Sequence, residues 1–453
     1  MKLTNLLLAA CLVLAAAPSS AQSDFVQRKG HQFLLRGKPY YYVGTNYWYG
    51  SLLPLQANRA RGIDRLRREL DFLKAHGVRN LRVLAGAEGS GTIQGVPRVG
   101  PPLQPQKGRF DPTVLDGLDV LLAEMGKRDM KAIVFFSNNW EWSGGFLQYL
   151  RWNGVISDSD FRRKLSWDEL RDAVSRFYAC APCRDDYRRQ VDYVLARTNT
   201  VTGRRYTDDP VIMAWELANE PRPMRPAASE AYRAWISATA AHIKSKDRRH
   251  LVTLGHEGSI GTESMELFEA VHQDPNVDYS TIHIWPKNWG WLRADHIEED
   301  YPVAAQKTAD YIGDHVRAAQ RMNKPVVIEE FGLVRDSFSF SPSSATVARD
   351  RYYDLVFGHW KRSADTGGVI AGANFWAFNG EARPRPGQAF WKPGDDYMGD
   401  PPMEEQSLYG VFDSDRSTWY LLDRYARAQR GVVPVHPKKA KKGGRKPASN
   451  NVP

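Results

Sequence analysis

Cysteine is nearly missing from this 453-residue chain: there are three, and Cys11 lies in the apolar N-terminal run. Only Cys180 and Cys183 remain beyond it, in Cys180-Ala181-Pro182-Cys183, which excludes a disulfide-built scaffold. A zinc site would need partners that the neighbouring sequence does not offer. In an oxidising compartment two thiols this close either pair or stay as reduced neighbours, and the short strand-and-helix setting of a redox Cys-x-x-Cys motif is lacking. No stretch after the N-terminal run approaches the roughly 18 apolar residues of a membrane span. There is no His-x-His motif, which weighs against a metal-dependent hydrolase, and neither a metal nor another cofactor is expected. No Gly-rich phosphate loop follows the first strand, which weakens an open dinucleotide-binding sheet. A charge imbalance is also missing from the body. Lys2 and the tail cations Lys438, Lys439, Lys441, Lys442, Arg445 and Lys446 account for seven of the net +10, leaving +3 for the rest. Nucleic-acid binding would rest on a Gly/Pro/Lys tail alone and is not expected.

What is present divides the chain in three. Residues 1–21 combine Lys2, an apolar run from Leu6 to Ala17 and the small residues Ser19-Ser20-Ala21, the pattern of a secretory signal peptide. Leu8-Ala9-Ala10-Cys11 resembles a lipoprotein box, but the apolar run continues past Cys11, against anchoring. Residues 22–430 show no linker and read as one domain, and residues 431–453 as a basic disordered tail. The expected location is secreted or periplasmic, and the expected state a monomer. Fourteen Trp and twenty Tyr could supply stacking surfaces for sugars or bases, or simply an aromatic core.

Short apolar runs alternate with amphipathic stretches. Phe25 to Lys38 suggests a hairpin lid at a barrel bottom. Strands are expected at 40–48, 80–86, 131–139, 211–219, 251–255, 279–285, 325–332 and 369–376. Helices are expected at 63–76, 114–128, 187–197, 229–247, 303–321, 346–363 and 419–430. Eight strands interleaved with helices predict an α/β fold, a (β/α)8 TIM barrel with long loops after strands 3, 6 and 8, whose site lies at the strands' C-terminal ends.

Those ends carry the chemistry: Asn46 and Trp48, Arg82, Asn138-Asn139-Trp140, Asn219-Glu220, His256-Glu257, His283-Trp285, Glu330 and Trp376. Two acidic tips among aromatics fit glycoside hydrolysis, in which one carboxylic acid protonates the leaving oxygen and a second carboxylate acts across the anomeric carbon. Glu220 and Glu330 are the natural pair. Arg82 could hold the nucleophile ionised, or serve only as a salt bridge to Glu216. Asn219 could donate to the sugar 2-hydroxyl. His283 could bond a sugar or a catalytic carboxylate, or be a satisfied structural histidine. Trp140, Trp142, Trp152, Trp285, Trp289 and Trp291 would form a row of exposed aromatics gripping successive pyranose faces, or pack loops. A protein that binds carbohydrate without cleaving it is the alternative of another class.

These residues resemble glycoside hydrolase family 5, and within it the endo-β-1,4-mannanases. The resemblance is carried by Gly44-Thr45-Asn46-Tyr47-Trp48, Leu81-Arg82-Val83, Asn138-Asn139-Trp140 with Gly144-Gly145 and Tyr149, Trp215 to Arg222, Glu329-Glu330-Phe331-Gly332 and Trp376. It implies a retaining, metal-independent enzyme acting on mannan or glucomannan. Glu220 would be acid/base and Glu330 nucleophile, Arg82, Asn219, His283 and Trp376 would surround the reacting sugar, and Arg222 would lie toward the leaving side. A cellulase or β-glucanase of the same family and an exo-acting β-mannosidase are the alternatives. Where the family has His-x-Tyr, this chain has His283-Ile284-Trp285, so an indole that can only donate replaces a phenol. Strand alternation should send Glu329 away from Glu330, to a structural role.

Overall fold

Eight of the apolar runs pair as parallel strands in the computed structural model, which describes residues 23–428. They are β1 (Tyr42–Asn46), β2 (Asn80–Leu84), β3 (Lys131–Phe135), β4 (Ile212–Glu216), β5 (Leu251–Thr253), β6 (Ser280–Ile284), β7 (Val326–Phe331) and β8 (Ile370–Phe375). Every residue in them is buried, as continuous apolar strands require when helices cover one face and side chains fill the other. The hydrogen-bonded order is β5-β4-β3-β2-β1-β8-β7-β6, so the sheet curls until β5 and β6 are neighbours. Across that seam the Asp278 N–H donates to the Val252 carbonyl at 2.8 Å, and the Thr281 hydroxyl donates to the His256 carbonyl at 2.9 Å. The outcome is the expected (β/α)8 barrel, closed but for this sparsely bonded seam.

Outside run α1 (Arg59–Ala75), α2 (Pro112–Gly126), α3 (Ala181–Leu195), α4 (Ser229–Lys246), α5 (Met265–His272), α6 (Ile297–Met322), α7 (Val347–Thr366) and α8 (Arg416–Ala428). Capping sets several starts that apolar spacing missed. The Asn58 side chain accepts the Arg61 N–H at 3.0 Å, so α1 begins four residues before its apolar face does. α6 begins at Ile297 and not near 303, with Glu298, Glu299 and Asp300 in the first turn favouring its positive end and Pro302 carried inside. Helix α5 had no counterpart in the expected elements. Cys180 and Cys183 form a disulfide at the start of α3, where Cys180 is also the N-cap.

The loops after β3, β6 and β8 are long, and so is the one after β2, which carries a small hairpin of Thr92–Ile93 with Val96–Pro97. The insertion after β3 folds into short helices at Gly145–Trp152, Asp158–Arg162 and Trp167–Ser175. At the other end of the barrel the expected hairpin gains a third strand, giving an antiparallel sheet of Gln27–Lys29, Gln32–Leu35 and Lys38–Pro39. Its Val26 and Phe33 pack with Tyr42, Ile133, Met213, Leu251, Tyr279 and Val327, which lie near the strands' N-terminal ends, so this sheet plugs the barrel floor. No helix among the described residues is long and apolar enough to cross a membrane. The signal segment 1–21 and the tail 431–453 lie outside the described residues.

Candidate active site

Strand β4 stops at Glu216 and the chain then crosses the barrel mouth, pinned on both sides. The Asn219 N–H donates to the Ser137 carbonyl and the Glu220 N–H to the Gly255 carbonyl, each at 2.8 Å. Gly255 is required there, because it has φ +78° and a Cβ would collide with the Ala218 carbonyl and the Glu216 carboxylate. Glu220 has φ +52°. A residue with a side chain holds that conformation only where its surroundings over-determine it, and such residues cluster at functional sites.

Strand β7 departs from alternation. Ile328 pairs with Ile282 but Glu330 pairs with His283, so Glu329 is one extra residue, a β-bulge. Val327 points into the barrel and Ile328 toward the helices, as a regular strand dictates. The bulge then turns both Glu329 and Glu330 inward, where each faces Arg82. The expectation that these carboxylates lie on opposite sides is therefore corrected by the strand pairing.

Arg82 is the hub. Its Nε donates to Glu216 Oε2 at 3.0 Å and its Nη2 to Glu216 Oε1 at 2.5 Å and Asn219 Oδ1 at 2.7 Å. Its Nη1 donates to Asn46 Oδ1 at 3.1 Å and to Glu330 Oε1. Arg82 thus bonds both carboxylates, Glu216 along one edge of the guanidinium and Glu330 at one corner. The Asn219 amide is locked in turn, its Nδ2 donating to Asn138 Oδ1 at 3.1 Å.

Between the two candidate carboxylates stands His283. Its Nδ1 lies 2.6 Å from Glu220 Oε1 and 3.2 Å from Glu330 Oε2. Burial, with Arg82 nearby, lowers its pKa well below the usual histidine value, so the ring is neutral. Nδ1 is then the donor whenever both carboxylates are charged. Burial pushes both carboxyls up. Arg82 opposes this at Glu330, where it bonds directly, while Arg222 opposes it at Glu220 from a guanidinium already engaged by Glu257 at 2.5 Å. Arg82 thus bonds Glu330 directly, whereas the guanidinium nearest Glu220 is already paired with Glu257. Glu220, His283 and Glu330 offer ligand atoms all within 4.8 Å of one another, the group among the described residues whose spacing would suit a cation. Arg82 already sets a fixed positive charge on Glu330 there.

The walls are aromatic. Trp140 Nε1 donates to Glu220 Oε2 at 2.6 Å. The guanidinium of Arg222 lies over the rings of Trp140 and Trp167, 5.2 and 5.8 Å from their centroids, and those rings stack at 6.3 Å. Opposite, Trp285 meets Trp376 edge-on at 5.9 Å and Tyr409 at 4.8 Å. The Trp285 indole acts on Glu220, lowering its proton affinity. The buried Trp376 indole N–H has no partner.

The structure thus gathers Glu220, Glu330, Arg82, Asn219, His283, Trp140, Arg222, Trp285 and Trp376 at one mouth. Trp48 does not join them: it is fully buried, packs on Trp142 at 5.1 Å and donates its indole N–H to the Gly399 carbonyl at 2.7 Å. The expected row of exposed tryptophans is also corrected. Trp142 and Trp285 are buried, Trp289 and Trp291 pack on Tyr311, and Trp167, 51% exposed, is the open ring. Sequence reading missed Trp167, which follows the capping residue Ser166 on a short helix. It missed Glu404 too, on the loop after β8. Burial, with Asp400 close by, raises Glu404 to about 8, and its Oε2 has no partner.

Comparison with known proteins agrees with this geometry. Residues 23–432 match the family model described as glycoside hydrolase family 5, β-mannosidase-like. Mannan endo-1,4-β-mannosidase 7 of Arabidopsis thaliana is 31% identical over 78% of this chain and 77% of its own length. Mannan endo-1,4-β-mannosidase 1 of rice (Oryza sativa subsp. japonica) is 29% identical over 82% and 84%. The crystal structure of a family 5 mannosidase from Rhizomucor miehei superimposes with a TM-score of 0.79, at 31% identity, over 90% of this chain and 98% of that one. An endo-β-1,4-mannanase from Thermotoga petrophila, 24% identical over 88% and 79%, shares the fold with a TM-score of 0.64. This chain belongs to glycoside hydrolase family 5 and is a hydrolase of its β-mannosidase-like branch.

Proposed function

We propose that this protein is an exported mannan endo-1,4-β-mannosidase that cleaves β-1,4-mannosidic bonds with retention, with mannan or glucomannan as its polysaccharide substrate. The observation that carries the reading is the carboxylate pair. One oxygen of Glu220 lies within 4.8 Å of one of Glu330, which fits the close carboxyl pair of a retaining enzyme better than the wider pair of an inverting one. Glu330, held by Arg82, attacks the anomeric carbon while Glu220 protonates the leaving oxygen. Glu220 then takes a proton from water as that water displaces the sugar from Glu330. His283 orients both carboxylates, and Asn219, fixed by Arg82 and Asn138, keeps one amide hydrogen for the 2-hydroxyl. The unpartnered Trp376 N–H is a donor for another sugar hydroxyl. Arg222, Trp140 and Trp167 lie on the acid's side and receive the leaving chain. Export rests on residues 1–21.

An exo-acting β-mannosidase is the second reading. It is favoured by the near-complete burial of Glu220 and Glu330, 7% and 2% exposed, and by the long loop after β8 that sets Tyr409 against Trp285. Reducing-sugar release from mannan, glucomannan, carboxymethyl cellulose and manno-oligosaccharides tests both. Mixed oligomers support endo action, mannose alone supports exo action, and a preference for carboxymethyl cellulose would overturn the mannan assignment. The anomer first formed, read by NMR, tests retention.

A further inference from the structure

Glu329 has no part in the chemistry above, yet it lies against the groups that do. It is fully buried, and neither of its carboxyl oxygens has a hydrogen-bond partner. Its Oε2 lies 3.6 Å from Arg82 Nε and 3.6 Å from His283 Nε2. Glu216 and Glu330 are its acidic neighbours, and the phenols of Tyr42 and Tyr279 complete the titratable groups that face it. Both phenol oxygens are buried without partners as well.

Counting charges fixes its state. One guanidinium, Arg82, faces three carboxyls, those of Glu216, Glu329 and Glu330. Were all three ionised, the cluster would be doubly negative inside a water-poor barrel, where carboxylates crowded together take up a proton. Glu216 is not the site of that proton, because its two oxygens accept three contacts from Arg82 at 2.5 to 3.2 Å. Glu330 accepts from Arg82, and His283 Nδ1, itself bonded to Glu220, lies 3.2 Å from its Oε2. Glu329 is the carboxyl toward which no N–H is aimed at bonding distance.

We propose that Glu329 is a neutral positioning residue whose carboxyl keeps its proton, donating it in a hydrogen bond to Glu216, so that the charge of Arg82 is divided between Glu216 and Glu330 and the latter stays ionised for attack. No bond to the substrate is involved. Burial and the nearness of Glu216 both raise the Glu329 carboxyl well above the ordinary glutamate value, in line with this. The inference rests on Glu330 being the nucleophile.

The test compares Glu329→Gln and Glu329→Leu in the full enzyme, with circular dichroism to check folding. In Glu329→Gln a neutral amide replaces a neutral acid, so the acidic limb of the kcat/KM profile on a manno-oligosaccharide should stay where it is in the unsubstituted enzyme. If Glu329 is instead an anion, Gln removes a negative charge beside Glu330 and the limb moves to lower pH by about one unit or more, which overturns the proposal. Glu329→Leu loses the donor to Glu216 and should fall about tenfold below Glu329→Gln in kcat; equal losses would overturn it too. An infrared difference spectrum between the unsubstituted enzyme and Glu329→Gln supplies a readout independent of turnover. A lost component of the protonated-carboxyl band is expected, and its absence sinks the proposal even where Glu220→Gln and Glu330→Gln prove the catalytic pair. Should those two variants stay active while the component is lost, the catalytic reading fails and the protonation stands.

Discussion

Two buried polar clusters flank the seam between β5 and β6, and they are held by different means. At the mouth, Arg82, Glu216, Glu220, Glu330 and His283 hold one another through side chains, with Glu329 packed against them. Beneath the loop after β5, His256, His272 and His315 are held by backbone. His256 Nδ1 accepts the Gly258 N–H at 2.9 Å, His272 Nδ1 donates to the Phe268 carbonyl at 2.8 Å, and His315 Nδ1 donates to the Tyr311 carbonyl at 2.7 Å while its Nε2 accepts the Ser259 N–H at 2.9 Å. Burial drives the histidines of both clusters toward neutrality, His272 to about 3 and His315 to about 4. The difference is Arg82. A fixed cation lets carboxylates remain charged out of water and available for chemistry, whereas a cluster without an opposite charge can only stay neutral and support the fold.

The sharpest break of that contrast is at the mouth. Glu220→Gln and Glu330→Gln should each lower kcat by roughly 10³-fold or more with an unchanged melting temperature, and near-normal turnover would remove the catalytic assignment. Arg82→Met should leave Glu216 and Glu330 uncompensated, costing about 3–5 kcal/mol in a denaturant titration as well as activity. A loss of activity alone would mean that the cluster relaxes without its cation.

The histidine cluster should show itself as acid sensitivity. His272 and His315 have folded pKa values below the unfolded value near 6.5, so the unfolded chain binds more protons between that pH and about 4. Stability is then lost as pH falls through this window, by up to about 3 kcal/mol per histidine at pH 4. Glu88, raised to about 7 by burial, acts in the other direction, its contribution being lost as pH rises from about 4.5 to 7. Melting curves across pH should therefore flatten on the acid side in His272→Gln, and an unaltered slope would exclude the cluster as the cause.

Smaller effects lie at the rim. Trp167→Ala should cost about 1 kcal/mol of transition-state binding, roughly fivefold in kcat/KM, on mannopentaose and less on mannobiose. Equal losses on the two would place the ring outside the path of the leaving chain. Cys180→Ser with Cys183→Ser should destabilise by about 2 kcal/mol at most, because the loop it closes is only three residues in sequence. Calorimetry of the reduced and oxidised protein measures it.

The barrel was legible because each strand is a short apolar run with a polar tip, and the rule that such barrels act at their strand ends then pointed to Glu220 and Glu330 without knowledge of any distance. What escaped depends on contacts between remote segments. Trp48 reads as a tip aromatic like Trp376, but a carbonyl at Gly399, some 350 residues on, covers its indole. The bulge at Glu329 is a property of how β7 pairs with β6 and leaves no mark in the residues of β7. Trp167 sits in an insertion without periodicity, and only the fold brings its ring over Arg222. The early start of α1 was written in Asn58, whose capping role the apolar pattern hides.

That bulge has a consequence for crowding. A regular strand delivers one inward side chain for every two residues, about 6.6 Å of rise, so eight strands can set only a limited number of groups in one layer of a barrel. By slipping one residue against its neighbour, β7 delivers two carboxyls to the barrel interior within a single residue's rise, both facing Arg82. The barrel thereby gains an extra inward acid without lengthening a strand or adding another, and a one-residue deletion at 329 would remove it.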